Sequence, residues 1–360
     1  MKKSIGLYIH VPFCKSFCPY CDFYKVQVSE EAIKKYTEAV VKTTASFSHE
    51  YNRSVDTVYF GGGTPSSIPG EFIARMLSCA RENFELTDEA EITVECNPGS
   101  DLERVLPILY EAGVNRLSFG MQSADEAERK NLGRLSGPER VSEAVSLARK
   151  IGFENISLDL MIGVPCQTEK SLAKSLEFCM SEKVKHISAY MLKIEEGTVF
   201  SRRREALSLP DEDAVCRLYD MLCNTLESNG IKQYEISNFA VPGYESKHNL
   251  KYWNCEEYLG IGPAAHSYMN GKRFYYERDI DAFINGAPPR FDCEGGSYEE
   301  WLMLKLRLRE GVKRLELLRP ETIEKARNEI LKPYVILDDE GLRLTHRGFL
   351  VSNTVISELI

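Results

Sequence analysis

Cys14, Cys18 and Cys21 stand within eight residues of one another, in the segment Cys14-Lys15-Ser16-Phe17-Cys18-Pro19-Tyr20-Cys21-Asp22-Phe23. Three thiols on one loop can converge on a single metal centre, because thiolates are soft ligands suited to zinc or to an iron–sulfur cluster. A structural zinc favours four protein ligands, usually as two Cys-x2-Cys units far apart in the chain. No second Cys-x2-Cys exists here, and His10, the nearest imidazole in sequence, sits inside a strand-like run before the turn. An oxygen-sensitive cluster, with three irons held by thiolates and a fourth open to a small molecule, accounts better for the three cysteines. Structural zinc is the alternative. The other eight of the 11 cysteines, Cys79, Cys179, Cys216 and Cys223 among them, are scattered. They sit in apolar patterns and read as small buried hydrophobes in a reducing compartment.

The elements that position this loop follow from two alternating periodicities. Apolar runs at residues 5–11, 57–60, 91–96, 116–120, 156–162 and 187–192 predict strands. The stretches between them carry helical spacing, as with Val141, Ala144, Val145 and Ala148. Gly113-Val114-Asn115 and Gly152-Phe153-Glu154-Asn155 look like helix exits. Strand–helix alternation argues for βαβ units and a parallel sheet. Six such units, ending near residue 230, are too few for a closed eight-stranded barrel. The expectation is an α/β fold built as an open, partial (β/α)6 barrel, with a doubly wound sheet as the alternative. Ligands gather at the carboxyl ends of such strands. Those ends read Pro12 to Cys14, Gly61-Gly62-Gly63-Thr64-Pro65, Glu95-Cys96-Asn97-Pro98, Gly120-Met121-Gln122-Ser123, and Asp159 through Pro165. Cys, Gly, Glu, Gln and Asp are thereby delivered to one rim.

Residues 233–290 change character, being rich in aromatics, Gly and His with weak periodicity. Irregular structure is expected there, with an edge strand at 234–238. The last stretch predicts helices at 299–308 and 320–331, a hairpin of 334–337 and 342–345 around Asp338-Asp339-Glu340-Gly341, and a closing helix at 348–358. Helices followed by a hairpin suggest a small winged-helix-like unit with a structural role. The expected boundaries are 1–235 for the α/β core, 236–295 for the irregular segment and 296–360 for the C-terminal unit. A net charge of −9 gives no strong pull toward nucleic acid, and none is expected as a partner. No apolar run approaches the ~18 residues of a transmembrane segment. The chain reads as cytoplasmic, with Lys2 and Lys3 as a solvated start.

Cys-x3-Cys-x2-Cys after a first strand resembles the signature of the radical S-adenosylmethionine family, and the resemblance spans nearly the whole chain. The chain is most similar to the branch that holds oxygen-independent coproporphyrinogen III oxidase and a related group of heme chaperones. The resemblance implies a radical-SAM barrel with a [4Fe-4S] cluster on Cys14, Cys18 and Cys21. The open iron would be chelated by the amino nitrogen and carboxylate of S-adenosyl-L-methionine. Tyr8 and Tyr20 would lie near cofactor and cluster. Gly62, Gly63 and Thr64 would meet the methionyl group, since glycine lets backbone groups approach a charged ligand; a tight turn after the second strand is the plain alternative. Glu95 would accept ribose hydroxyl hydrogens. Gln122, Arg134 and Asp159 align with polar residues around the cofactor, which in the oxidase belong to a second S-adenosylmethionine site. A buried Arg–Asp pair closing the rim is the competing reading. Ile162-Gly163-Val164-Pro165 would pack along the adenine or serve as ordinary strand-end packing.

Two departures matter. Phe23 stands where the oxidase signature has a further cysteine, and Cys14 lies close to the start, without the oxidase's N-terminal extension. Both features match the heme chaperones. So does His248-Asn249-Leu250-Lys251-Tyr252-Trp253, in which His248 would offer an imidazole nitrogen to heme iron while aromatic rings stack on the porphyrin. Simple packing is the bland reading of the same residues. Gly260-Ile261-Gly262-Pro263-Ala264-Ala265-His266-Ser267 also resembles the branch: its small residues would admit a flat ligand, and His266 is a second heme candidate. Arg202-Arg203-Arg204 reads as a solvated loop, with contact to propionates as the alternative. The expected function is a heme chaperone. It would bind heme and the cluster with exchangeable S-adenosyl-L-methionine, and pass heme to an acceptor protein, a respiratory enzyme being one candidate. Oxidative decarboxylation of coproporphyrinogen III is the alternative. No catalytic residue is assigned.

Overall fold

The computed structural model describes residues 4–360, so the reading of Lys2 and Lys3 lies outside it. All six expected strands are present: β1 (Ile5–Val11), β2 (Ser54–Gly62), β3 (Glu85–Cys96), β4 (Arg116–Gln122), β5 (Asn155–Ile162) and β6 (His186–Met191). They are parallel and adjacent in chain order. The principal helices of this region are α1 (Glu30–Tyr51), α2 (Gly70–Asn83), α3 (Leu102–Glu111), α4 (Pro138–Ile151), α5 (Glu169–Ser181) and α6 (Glu212–Ser228). Local chemistry sets their starts. Ser29 and Asp211 accept backbone N–H groups at the N-termini of α1 and α6, and Thr168 with Ser171 forms a capping box on α5.

Successive strand residues point to opposite faces. On β1, Ile5, Leu7, Ile9 and Val11 are fully buried in the main apolar core. The alternate residues Tyr8 and His10 face the concave side instead. The concave face is polar across the sheet: Tyr59 on β2, Glu95 on β3, Ser118 on β4 and Asp159 on β5 are linked there by hydrogen bonds. Hydrophobic burial thus holds the sheet from one side and leaves the other free for chemistry.

Residues 236–295 correct the expectation of irregular structure. β7 (Lys232–Glu235) and β8 (Asn238–Ala240) form an antiparallel pair, with β8 antiparallel to β6. After α7 (Lys247–Trp253) the chain crosses to the opposite flank, where β9 (Tyr258–Ile261) pairs in parallel with β1. Antiparallel β10 (His266–Met269), β11 (Lys272–Tyr275) and β12 (Arg290–Glu294) follow. The result is one 12-stranded sheet. These strands of three to five residues carry too little alternation to be read locally. Their pairing depends on partners remote in sequence.

The C-terminal unit has its own core around Leu302, Leu306, Leu342 and Leu359. It comprises α8 (Tyr298–Lys305), α9 (Pro320–Ala326), the hairpin β13 (Val335–Asp338) and β14 (Gly341–Leu344), then α10 (His346–Leu350) and α11 (Ser352–Leu359). The expected closing helix is therefore two helices. The unit docks through Arg309 N–H to the Tyr234 carbonyl (2.9 Å) and through His346 Nε2 to Asp220 Oδ1 (2.6 Å). Arg202, Arg203 and Arg204 are exposed.

Candidate functional site

The cysteine loop begins where β1 ends. A short parallel bridge between Phe13–Cys14 and Val26–Gln27 ties its two ends. Inside it, Lys25 Nζ donates to the carbonyls of Cys21 (2.7 Å) and Phe23 (3.1 Å), and Cys21 N–H donates to the Cys18 carbonyl (3.3 Å). From outside, Arg278 reaches the carboxylate of Asp22 (3.0 Å), and the Ile280 N–H donates to the Tyr24 hydroxyl (2.9 Å). Phe200 N–H donates to the Pro19 carbonyl (3.0 Å), and Tyr20 packs with Leu132, Val164 and Phe200. Val164 of the Ile162-Gly163-Val164-Pro165 segment is spent on that packing. The loop is held by contacts from remote parts of the chain on both flanks.

Cys14 is buried, while Cys18 and Cys21 are partly exposed. Cys14 Sγ lies 3.4 Å from Thr64 Oγ1. Burial raises the Cys14 thiol above its ordinary value, Thr64 opposes the rise, and Cys21 and Cys18 add to it. Thiols that discourage one another's ionisation form a donor set that a bound cationic centre stabilises. Among the described residues no three His, Cys, Asp or Glu side chains gather closely enough to grip one metal ion. A cluster meets each thiolate at a separate iron, and three thiols on one loop suit that arrangement. The donor set therefore fits a cluster.

The end of β2 abuts this loop. A Cβ on Gly63 would stand 2.7 Å from the Pro12 carbonyl carbon, and Gly62 has φ +104° with the His10 ring against the place a Cβ would take. Gly63 N–H donates to the Val11 carbonyl and Thr64 N–H to the Phe13 carbonyl, both 2.9 Å. These glycines let the second strand end seat directly on the cysteine loop. Close approach of the chain to itself is thus a sufficient reason for them.

Glu95 accepts from the Tyr59 hydroxyl (2.8 Å) and from Gly62 N–H (3.2 Å). Burial and the charge of Asp159 push Glu95 up to about 7. Asp159 accepts from Ser118 (2.9 Å), and burial raises it too. Arg134 does not pair directly with Asp159. Its guanidinium donates to the Gly120 carbonyl (2.5 Å) and lies 3.8 Å from Cys18 Sγ. This places a cation beside the Cys18 thiol. Gln122 closes β4 at φ +69°, a left-handed conformation that costs a residue with a side chain about 1–3 kcal/mol and tends to occur at functional sites. Tyr8 donates or accepts at His10 Nδ1 (3.1 Å). Tyr8, Gly62, Glu95, Arg134 and Asp159 are therefore gathered around the mouth that the cysteine loop covers.

His248 lies elsewhere than expected for a heme contact. Its ring is buried under β1 and β2, with Nδ1 2.8 Å from Thr57 Oγ1 and Nε2 2.8 Å from the Tyr252 hydroxyl. It stacks on Tyr59 at 5.2 Å, and its backbone N–H donates to Glu91 (3.1 Å). Burial, with the charges of Lys251 and Arg116, lowers it to about 3. Both nitrogens of the neutral ring are committed, so a heme contact at His248 does not follow from this geometry. Gly260 and Gly262 are likewise spent on the chain, Gly260 against the His266 carbonyl and Gly262 against that of His10.

Three features escaped the sequence reading. Arg116 is fully buried on the concave face, beside the charges of Glu91 and Asp159. Its place inside the run expected as a strand was the available signal. Glu235 is buried and pushed up to about 7 by desolvation. A cavity of about 550 Å3 opens between the cysteine loop and β9–β11, walled by rings that include Tyr8, Tyr24, Tyr252, His266 and Tyr275.

Glu95 and Glu235 carry a pH signature. Each has a folded-state value of about 7 against an ordinary value of 4.5. Between these values the folded chain holds protons that the unfolded chain has released, so stability falls as pH rises from about 4.5 to about 7. Denaturant midpoints of the cluster-free protein should show this fall. Glu95→Gln should flatten it, and an unchanged slope in that variant would remove Glu95 from the account.

Comparison with known proteins places residues 8–179 within the model described as the radical SAM superfamily. The chain is 35% identical over 375 residues to the heme chaperone HemW of Lactococcus lactis, covering 100% of this chain and 98% of that protein. It is 35% identical to the heme chaperone HemW of Bacillus subtilis over 98% of both chains. The solved coproporphyrinogen III oxidase (HemN) of Escherichia coli superposes with a TM-score of 0.85 over 99% of this chain and 90% of that one, at 20% identity. That likeness speaks to the fold alone.

Proposed function

We propose, starting from a chain that belongs to the radical SAM superfamily and within it to the HemW heme chaperones, that this protein binds heme and hands it to an acceptor protein. The full-length identity to heme chaperones carries the reading. Cys14, Cys18 and Cys21 hold the [4Fe-4S] cluster, and S-adenosyl-L-methionine is its exchangeable ligand. Bound together, these two groups supply one-electron chemistry.

The chain's own residues prepare that site. Arg134 offsets negative charge at Cys18 Sγ, since a guanidinium beside a thiolate favours ionisation. Glu95, held by Tyr59 and Gly62, presents a fixed acceptor for hydroxyl groups. Tyr8 and Tyr20 wall the cluster side, while Gly62, Gly63, Thr64, Gln122 and Asp159 complete the rim around the S-adenosylmethionine. The acceptor is a heme-accepting protein, a respiratory enzyme being one candidate, and the cytoplasm is the proposed place of work. Among the described residues no helix is long and apolar enough to cross a membrane.

Heme titration of the anaerobically reconstituted protein, followed at the Soret band, tests the reading. Saturable binding is expected, followed by transfer to an apo-protein acceptor. A Soret band that grows linearly with added heme, with no saturation, would refute it.

A further inference from the structure

We propose that His266 is the axial ligand of heme iron, and that heme sits in the aromatic cavity between the cysteine loop and β9–β11, an inference that rests on the heme-chaperone reading.

The argument begins with the six histidines of the chain. A neutral imidazole is a common protein ligand of heme iron, and it needs one nitrogen free. Four are committed. His10 bonds Tyr8 through one nitrogen and the Tyr24 carbonyl through the other. His186 bonds Ser157 and Tyr234, and His248 bonds Thr57 and Tyr252. His346 bonds Asp220 at 2.6 Å. His49 lies exposed in the last turn of α1, away from the cavity lining. His266 alone lines the cavity with neither ring nitrogen hydrogen-bonded among the described residues.

The surroundings of His266 suit such a ligand. Its ring stacks on Tyr275 at 5.3 Å and 23°, which fixes the ring plane without using a nitrogen. Partial burial lowers its pKa, which keeps the imidazole neutral and able to donate its lone pair. The backbone behind it is rigid, because Ser267 on β10 is bonded to Gly260 N–H (2.8 Å).

The cavity suits a flat, amphipathic ligand. Its volume of about 550 Å3 falls within the ~300–1,000 Å3 typical of cofactor sites. Aromatic rings make most of the wall and offer π faces to a macrocycle. One margin is charged: Arg278 lies at the opening, paired with Asp22 (3.0 Å), and Arg290 pairs with Glu277 (2.9 Å) nearby. Both guanidiniums are more than half exposed, so they can exchange these partners for ligand carboxylates, which arginine recognises in a fork geometry. An apolar slot with a cationic margin and one free imidazole is the complement of heme with its two propionates. Phe23 and Tyr24 of the cysteine loop also line the slot, so heme there would lie against the loop that carries the cluster.

The test is a heme titration of the anaerobically reconstituted chain and of three variants. Losing even an outer-shell partner typically costs about 10–100-fold in metal affinity, so His266→Ala should weaken heme binding by at least roughly tenfold. Its Soret maximum should shift, and excess free imidazole should restore the original spectrum. His266→Cys should give a thiolate-type spectrum, a change that a merely structural role for His266 would not produce. His248→Gln, which keeps polar groups for Thr57 and Tyr252, should retain the imidazole spectrum. An unchanged affinity and spectrum in His266→Ala, or loss of the imidazole signature in His248→Gln alone, would overturn the assignment while leaving heme binding intact. No saturable binding by the unaltered chain would overturn the chaperone reading and this one with it.

Discussion

Cys18→Ser is expected to leave a folded, colourless protein whose iron and acid-labile sulfide content falls to near zero. The expectation combines a chemical and a structural argument. A hydroxyl is a poor substitute for a thiolate at a cluster iron, and with three protein ligands the loss of one leaves two. The fold does not depend on the Cys18 side chain. It is partly exposed, and its sulfur meets the Arg134 guanidinium at 3.8 Å and the Tyr20 hydroxyl, both of which have other partners. The loop is clamped by other groups, namely Lys25, Arg278 and the Ile280 N–H. Circular dichroism and the thermal midpoint of the cluster-free form should therefore match the parent. Cys166→Ser, which alters an exposed cysteine outside the loop, should keep iron and colour. Full iron content in Cys18→Ser would break the ligand assignment. A parent protein that is colourless, zinc-loaded and free of sulfide would restore the zinc alternative.

Arg116→Met should be the most damaging single change away from the cysteine loop, costing about 3–5 kcal/mol, the typical penalty for removing one partner of a buried charged set. Arg116 is 2% exposed, the largest of the fully buried side chains, and the carboxyl groups of Glu91 and Asp159 and the phenols of Tyr59 and Tyr234 face it. Methionine matches its length and apolar stem, so packing changes little and the missing charge dominates. Glu91 and Asp159 would then lose a facing cation in a dry interior and keep only hydrogen-bond donors such as the His248 N–H and the Ser118 hydroxyl, with the more distant charge of Arg134. In a chain of this size each kcal/mol moves the melting midpoint by roughly 2–4 °C or less, so a fall on the order of 10 °C is expected. The deficit should shrink at acidic pH, where the carboxylates are neutral, and Arg116→Lys should recover part of it. A loss below about 1 kcal/mol for Arg116→Met would show that the carboxylates do not depend on this cation.

The parts of the fold that were legible in the sequence share a cause. β1 was expected at 5–11 and spans Ile5–Val11, because a parallel strand packed under helices prints its pattern locally. The rim was legible for the same reason, since the carboxyl ends of such strands lie together and Cys14, Gly62, Glu95 and Asp159 sit at four of them. β9 to β12 were not legible. Tyr258–Ile261 becomes a strand because β1 offers an open edge some 250 residues earlier in the chain, and nothing in four residues announces that. His248 is a different case. Its neighbours in sequence suggest a ligand, but Thr57 and Tyr252 take both nitrogens, a fact that exists only in three dimensions. Arg116 was overlooked because a charged residue in a strand is ordinarily an exposed one.

The placement of β1 between β2 and β9 also has a meaning in time. Ribosomes deliver about 5–20 residues per second. The cysteine loop ends near residue 27, yet the strand that seals its second flank begins at Tyr258, and the Arg278 and Ile280 clamps come later still. Roughly 250 residues separate the two, which corresponds to on the order of 10–50 s of synthesis. For that interval a nascent chain carries three thiols with one wall missing, open to iron donors and to oxidants alike. The clamp can close only once residue 280 has been made, so the three cysteines are more open to solvent before that point than after it.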